Sequence, residues 1–421
     1  MTVFQAWQQG VPFQPSWDYG ISSPQGLRKQ NLERASDAPC RGMRITNISA
    51  NIPHQLLRRL MMVFILTFAA AERPSLIGGQ WQPPGALSGV HYVGSKVCAS
   101  CHVTESAVQP DTPMAQTLSP VTTSQVLQSH PHLSGQLGRY SYQIVTESGK
   151  TTYIVSDGIN SITETLLWAV GHGGGGQSYL YSRDERFYEA RVSYFSEIGN
   201  LDLTLGHPHT EPAGLDEAAG RPLTDSAVLK CFNCHSTGAE GESGLRLAHR
   251  TPGITCEKCH GPGREHLAAV QSGDINNLHI FNPGHMKLDE QVCNFCGSCH
   301  RNAFDVANNK ASGIVTIRFE PYRLVLSRCY DSRDPRISCI ACHNSHNQMS
   351  RTSAFYDAMC LACHGGSDRP SPASKIRAVQ CRVATENCVT CHMPKLELPG
   401  DHFKFADHDI RIVRLGEPFP G

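Results

Sequence analysis

Clear hydrophobic periodicity is confined to a few stretches of this 421-residue chain. Leu60 to Ala71 (LMMVFILTFAAA) is a continuous apolar run, preceded by Arg58 and Arg59 and followed by Glu72. A bilayer span needs roughly 18 to 20 apolar residues; this run is shorter, and Ala69-Ala70-Ala71 offers small residues for cleavage, so the pattern predicts a secretory signal peptide. Met43 is the expected start of translation, with Met61 as the alternative, because the segment before Met43 is rich in Gln, Pro and Trp and fits no signal design. The mature chain is therefore expected to be periplasmic or extracellular, without a stable transmembrane span.

Further along, Tyr140 to Thr146 and Thr151 to Ser156 alternate around Glu147-Ser148-Gly149-Lys150, and Ser178 to Tyr181 and Phe187 to Phe195 flank Arg183-Asp184-Glu185-Arg186. Each pair predicts a β-hairpin. Gly171 to Gly176 (GHGGGG) reads as a flexible loop between the two hairpins, lacking the G-K-[ST] ending of a phosphate loop. Downstream of about residue 206, Pro and Gly interrupt any sustained period, and short helices with loops are expected.

Composition changes this picture in one respect. Only 40% of the chain is hydrophobic and 7% aromatic, whereas it holds 18 Cys and 21 His. Something other than side-chain packing must organise the second half. Charge adds little: Lys plus Arg and Asp plus Glu balance at 37 each, with no basic block interleaved with aromatics, which argues against nucleic acid as a partner.

The cysteines carry the chemistry. Seven C-x-x-C pairs are followed at once by His: Cys98-Cys101-His102, Cys231-Cys234-His235, Cys256-Cys259-His260, Cys296-Cys299-His300, Cys339-Cys342-His343, Cys360-Cys363-His364 and Cys388-Cys391-His392. C-x-x-C-H is the c-type haem attachment signature: two thiols bond to the two vinyl groups of one haem, and the adjacent imidazole becomes an axial iron ligand. Structural zinc does not demand His after each second Cys, and seven adjacent pairs make a poor disulfide framework. The run Cys293-x-x-Cys296-x-x-Cys299 hints at an iron–sulfur site, but His300 follows and the ferredoxin C-P ending is absent. Cys293, Cys329 and Cys381 remain, and an oxidising compartment permits one disulfide among them.

Seven haems c, covalently attached, are thus expected, with His102, His235, His260, His300, His343, His364 and His392 as proximal ligands. Motifs two to seven occupy only 162 residues, so haems must replace the missing apolar core and lie close to one another. The expected fold is mainly short α-helices and loops organised around packed haems, with a small inserted β-hairpin subdomain and low regular secondary structure content. Its divisions are a leader at 1–71, a first haem region at 72–136, a β-rich insertion at 137–205 and a hexahaem domain at 206–421. The first motif stands apart by 128 residues, and its haem is the candidate for an open iron. Among His outside the motifs, His266 after CHGPGRE, His346 in CHNSH, and His402 and His408 in DHFKFADHDIRI are placed to reach a neighbouring haem as distal ligands.

The stretches YVGSKVCASCH, GITCEKCHGPGREH, CIACHNSH, CVTCHMPK and FADHDIRI resemble those of multihaem c-type cytochromes related to cytochrome c554, including the tetratricopeptide-linked multihaem cytochromes, over roughly residues 91 to 414. The resemblance implies an exported electron carrier with bis-histidine haems, and it favours His266, His346, His408 and, less directly, His402 as distal ligands. The implied partners are redox donor and acceptor proteins, and covalent attachment implies a cytochrome c maturation machinery. The alternative function is a reductase or oxidase of a small nitrogen or sulfur compound at one open haem; the C-x-x-C-K motif of ammonia-forming nitrite reductases does not occur, and no catalytic residue can be assigned.

Overall fold

The computed structural model describes residues 81, 92–239, 250–332, 334, 336–364, 381–414 and 416–420. The expected signal peptide and start lie outside these residues. No helix among the described residues is long and apolar enough to cross a membrane.

The chain first builds a sheet of ten strands: β1 Leu118–Pro120, β2 His132–Leu137, β3 Tyr140–Glu147, β4 Lys150–Ser156, β5 Ser161–Gly173, β6 Gly176–Arg183, β7 Arg186–Ala190, β8 Val192–Phe195, β9 Asn200–Leu203 and β10 Gly220–Pro222. The spatial order is β10-β7-β6-β5-β4-β3-β2, with β1 paired to β5 and β8 bridging β6 and β9. All pairings are antiparallel. The sheet curls until β9 meets β2, where the Ser134 amide donates to Asn200 Oδ1 at 3.2 Å and a Cβ on Gly135 would already press on Leu201.

The expectation of a small hairpin insertion in a low-structure helical fold is therefore overturned by a large curled antiparallel sheet. The two expected hairpins are interior parts of this larger object, β3–β4 flanked by β2 and β5, and β6–β7 by β5 and β10. Three local causes hide the rest. Strand β5 changes register at Leu166/Trp168 and again at Val170/Gly173; each bulge moves the buried side chains to the other face and breaks the two-residue period. Strands β1 and β10 are three residues long and end in Pro, as edge strands tolerate. Gly171–Gly176 is no free loop: β5 runs through His172, and Gly173 pairs with Gly176 to turn directly into β6.

The sheet has two apolar faces. Inside the curl, Tyr140, Tyr142, Ile144, Tyr153, Val155, Leu166, Tyr179, Tyr181 and Val192 are buried together. On the other face Leu118 and Leu180, with Trp168, Val170 and Phe187, receive Val228 and Phe232. Those two residues belong to the helix Asp225–His235, which ends in the second motif, so the sheet is the platform on which the cysteine-rich half begins. Beyond it apolar burial thins to a cluster of Leu288, Val292 and Leu324. The motif helices are short: Cys256–His260, Gly297–His300, Cys339–Cys342, Ser353–His364 and Cys388–His392. Two stop on left-handed backbone immediately after the His, Gly261 at φ 82° and Arg301 at φ 69°.

Candidate haem array

The thiols of successive motifs approach one another across the fold. Cys98 and Cys256 lie in each other's electrostatic range, as do Cys234 and Cys299, Cys296 and Cys339, and Cys360 and Cys388, and the Cys234 thiol points to the Ser298 carbonyl of the fourth motif at 3.9 Å. Cys259 lies in electrostatic range of Cys299, and Cys342 of Cys363. In motif order these contacts read 1–3–4–5–6–7, with motif 2 joining at motif 4. The first motif, isolated in sequence, is thus packed against the third. A cavity of about 3440 Å³ is lined by Cys and His from motifs two to seven. A pocket for one small ligand spans roughly 300 to 1,000 Å³, so this space is of the size for several large flat groups.

Buried carboxylates set the motifs against each other. Glu257, inside the third motif, is buried; its Oε1 accepts from the Val93 and Gly263 amides and its Oε2 from the Gly94 amide, all at 2.8 Å. One side chain thereby fixes the entry to the first motif helix and the turn after the third. Replacing it by Gln is expected to cost about 1–3 kcal/mol, read as a lowered denaturant midpoint of the holoprotein; an unchanged midpoint would refute the clamp. Asp357 does the same for the last two motifs, its carboxylate accepting from the Asn387 and Cys388 amides at 2.7 and 2.8 Å. Arg323, 1% exposed, makes a two-pronged contact with Asp407 at 2.9 and 2.9 Å and reaches Asp409 at 3.4 Å. Arg411 adds a 2.7 Å contact to Asp407. His408 is held between these two aspartates.

Three motif imidazoles face a second His. Ring centres stand 6.3 Å apart for His102 and His266, 6.0 Å for His260 and His346, and 6.3 Å for His343 and His408. Two imidazoles on one iron, with metal–nitrogen bonds of about 2 Å and ring centres about 1.1 Å behind the nitrogens, sit about 6.3 Å apart. Ligand imidazoles are also oriented by a hydrogen bond at the other ring nitrogen. The His260 Nδ1 lies 2.9 Å from the Phe281 carbonyl, His266 Nδ1 2.8 Å from Leu278, His392 Nδ1 2.9 Å from Arg411 and His408 Nδ1 3.0 Å from Ala406. His235 Nδ1 meets the Thr117 hydroxyl at 2.6 Å and its carbonyl at 3.1 Å. Beside it the Gly253 amide donates to the His235 carbonyl at 3.1 Å, and at φ +75° any Cβ on Gly253 would collide with the Ala115 carbonyl. In each case Nε2 is left to a metal, so these residues fit haem c.

The remaining candidates behave differently. His402 turns its Nε2 to Asp202 Oδ2 at 2.6 Å and its ring edge to Phe195, tying the C-terminal segment to the sheet. His207 is buried 3.3 Å from Glu189, and His130 packs on Tyr194. His300 has Glu320 Oε2 3.6 Å from its Nδ1. The Glu320 carboxylate lifts the His300 imidazolium to about 9; burial pushes Glu320 upward, but His300 outweighs it and holds the acid below the usual carboxylate range. Cys293 is disulfide-bonded while Cys329 and Cys381 are free thiols, so no disulfide joins two of these three. Sequence reasoning missed Glu257, Asp357, Arg323 and Glu320, since a single charged residue in a short helix looks like any solvated one. Asp407 and Asp409 were in view only as neighbours of His408.

No curated protein matches the chain. Among solved structures it is similar to one described as the crystal structure of outer cell wall cytochrome OcwA, with a TM-score of 0.45 and 14% identity, covering 77% of this chain and 80% of that one. Residues 211–261 match the family model of cytochrome c554 and c-prime. That match is narrower than the stretch over which the resemblance was read, but it contains the second and third C-x-x-C-H motifs whole. With its seven C-x-x-C-H motifs, the chain is similar to the multihaem c-type cytochromes related to cytochrome c554.

Proposed function

We propose that the protein is an exported heptahaem cytochrome c that transfers several electrons through closely packed, mostly bis-histidine haems. The observation that carries this reading is the set of three His pairs at 6.0–6.3 Å, each joining a motif His to a His outside the motifs. Each bound haem supplies a one-electron Fe(III)/Fe(II) couple. The protein's own part is to hold the proximal imidazoles His102, His235, His260, His300, His343, His364 and His392 in place, to present His266, His346 and His408 from the other side, and to anchor each ring by its paired thiols. The carboxylate clamps then keep neighbouring motifs at fixed separation, which favours transfer between rings without rearrangement. Export is supported by the apolar run Leu60 to Ala71 and by the dependence of covalent haem attachment on a maturation system.

The test is the intact mass and haem content of the mature holoprotein together with its oxidised electron paramagnetic resonance spectrum. Seven haems and only low-spin signals, unchanged by nitrite, hydroxylamine or cyanide, are expected of a relay. Fewer haems would overturn the count. A high-spin signal that shifts with those ligands would make the protein a reductase or oxidase of a small nitrogen or sulfur compound instead.

A further inference from the structure

Four motif imidazoles have a partner at Nδ1 among the described contacts, and one partner differs in kind. His235, His260 and His392 each meet a backbone carbonyl, a neutral acceptor. His300 meets the carboxylate of Glu320 at 3.6 Å. That is longer than a hydrogen bond but within ion-pair range, so what Glu320 brings is negative charge close to the iron-binding ring. A carboxylate behind a ligand imidazole raises its basicity and favours the more highly charged metal, and second-shell charge is one of the protein's levers on haem potential. Arg318 also lies in electrostatic range of Glu320 and softens the effect; His343 and His408 lie in range of Glu320 too, without an ion-pair contact, so the neighbouring haem feels the same charge more weakly.

The location gives this contact a consequence for the whole array. Motif four is where the chain of motifs branches: Cys299 reaches Cys234 of motif two and lies in range of Cys259 of motif three, while Cys296 reaches Cys339 of motif five. We propose that Glu320 is a positioning residue that makes the haem on Cys296, Cys299 and His300 the low-potential junction of the array. An electron arriving there reduces Fe(III) to Fe(II) and leaves by reducing a neighbouring Fe(III). Electrons pass through such a junction without residing on it, and charge accumulates on the arms. This rests on the reading that motif four carries a haem ligated by His300.

The experiment compares wild-type, Glu320→Gln and Glu320→Asp holoproteins by spectroelectrochemical titration and electron paramagnetic resonance. In Glu320→Gln one potential is expected to rise so that its Fe(III)/Fe(II) ratio changes at least tenfold, which is 59 mV for one electron. One low-spin component should change its g-values far more than any other, and Glu320→Asp, which keeps the charge, should restore most of the wild-type potential. If Glu320→Gln carries the full haem content and no potential moves, the inference is overturned. If Glu320→Gln loads haem poorly, Glu320→Asp decides: with one more bond of distance it should raise the same potential by a smaller step, and an unmoved set of potentials overturns the inference as well. A proteolytic peptide spanning Cys296 to His300 that lacks haem in the wild-type protein would instead overturn the reading on which it rests.

Discussion

The variant His408→Ala is expected to gain a high-spin ferric signal equal to one haem, and to bind cyanide or carbon monoxide at that haem. His408 faces His343 with ring centres 6.3 Å apart and has its Nδ1 fixed by the Ala406 carbonyl, so under the proposed bis-histidine ligation its removal strips one iron of its sixth ligand. His402→Ala is the informative contrast. Both histidines lie in the same C-terminal segment, but the His402 Nε2 is engaged with Asp202, so its loss should leave every haem low-spin. A His408→Ala protein that stays wholly low-spin, or a His402→Ala protein that turns partly high-spin, would refute this assignment of the segment.

The second large effect is on stability. Arg323→Met removes a fully buried guanidinium that makes two contacts to Asp407 and one to Asp409. Breaking one partner of a buried ion pair typically costs 3–5 kcal/mol because the other charge stays behind; Arg411 still reaches Asp407, so about 3 kcal/mol is expected here. Denaturant unfolding followed through the haem absorption would measure it, and a loss below about 1 kcal/mol would refute the clamp. Adding Asp407→Leu should recover part of the loss. Burial pushes the Asp407 carboxyl upward, but Arg323 and Arg411 hold it below the usual range. A depressed carboxyl contributes its stability in full above its unfolded value, about 3.9, and loses it as pH falls through the folded value. Acid unfolding of Arg323→Met should therefore begin at higher pH than that of the wild type.

What the sequence reveals and what it hides follow from how local each cause is. The haem motifs are legible because two covalent bonds and one axial ligand must come from five consecutive residues. His266, His346 and His408 are visible as candidates for a similar reason, each lying close behind a motif or in the short FADHDIRI segment. The sheet was underestimated because its central strand carries two bulges and its edges are three residues long, features that erase the alternation from which strands are read. The clamps are invisible for the opposite reason: Glu257, Asp357 and Arg323 act on backbone or side chains 6 to 164, 30 to 31, and 84 to 97 positions away, and nothing near them in the chain marks them as buried.

The longest of these reaches bears on how the molecule is assembled. Glu257 joins residues 163 and 164 positions distant, and the whole ten-stranded sheet lies within the loop it closes. Bringing such distant segments together carries a loop-closure cost that is offset only once the intervening chain is compact. The first and third motifs are therefore expected to meet late, after the strands between them have paired, whereas the last two motifs, 30 to 31 positions apart at their clamp, can dock early. Electrical continuity between the first haem and the others would then be acquired in the final stage of folding, and a slow-folding or nicked sheet would leave a molecule with all its haems attached but its wire cut at one end.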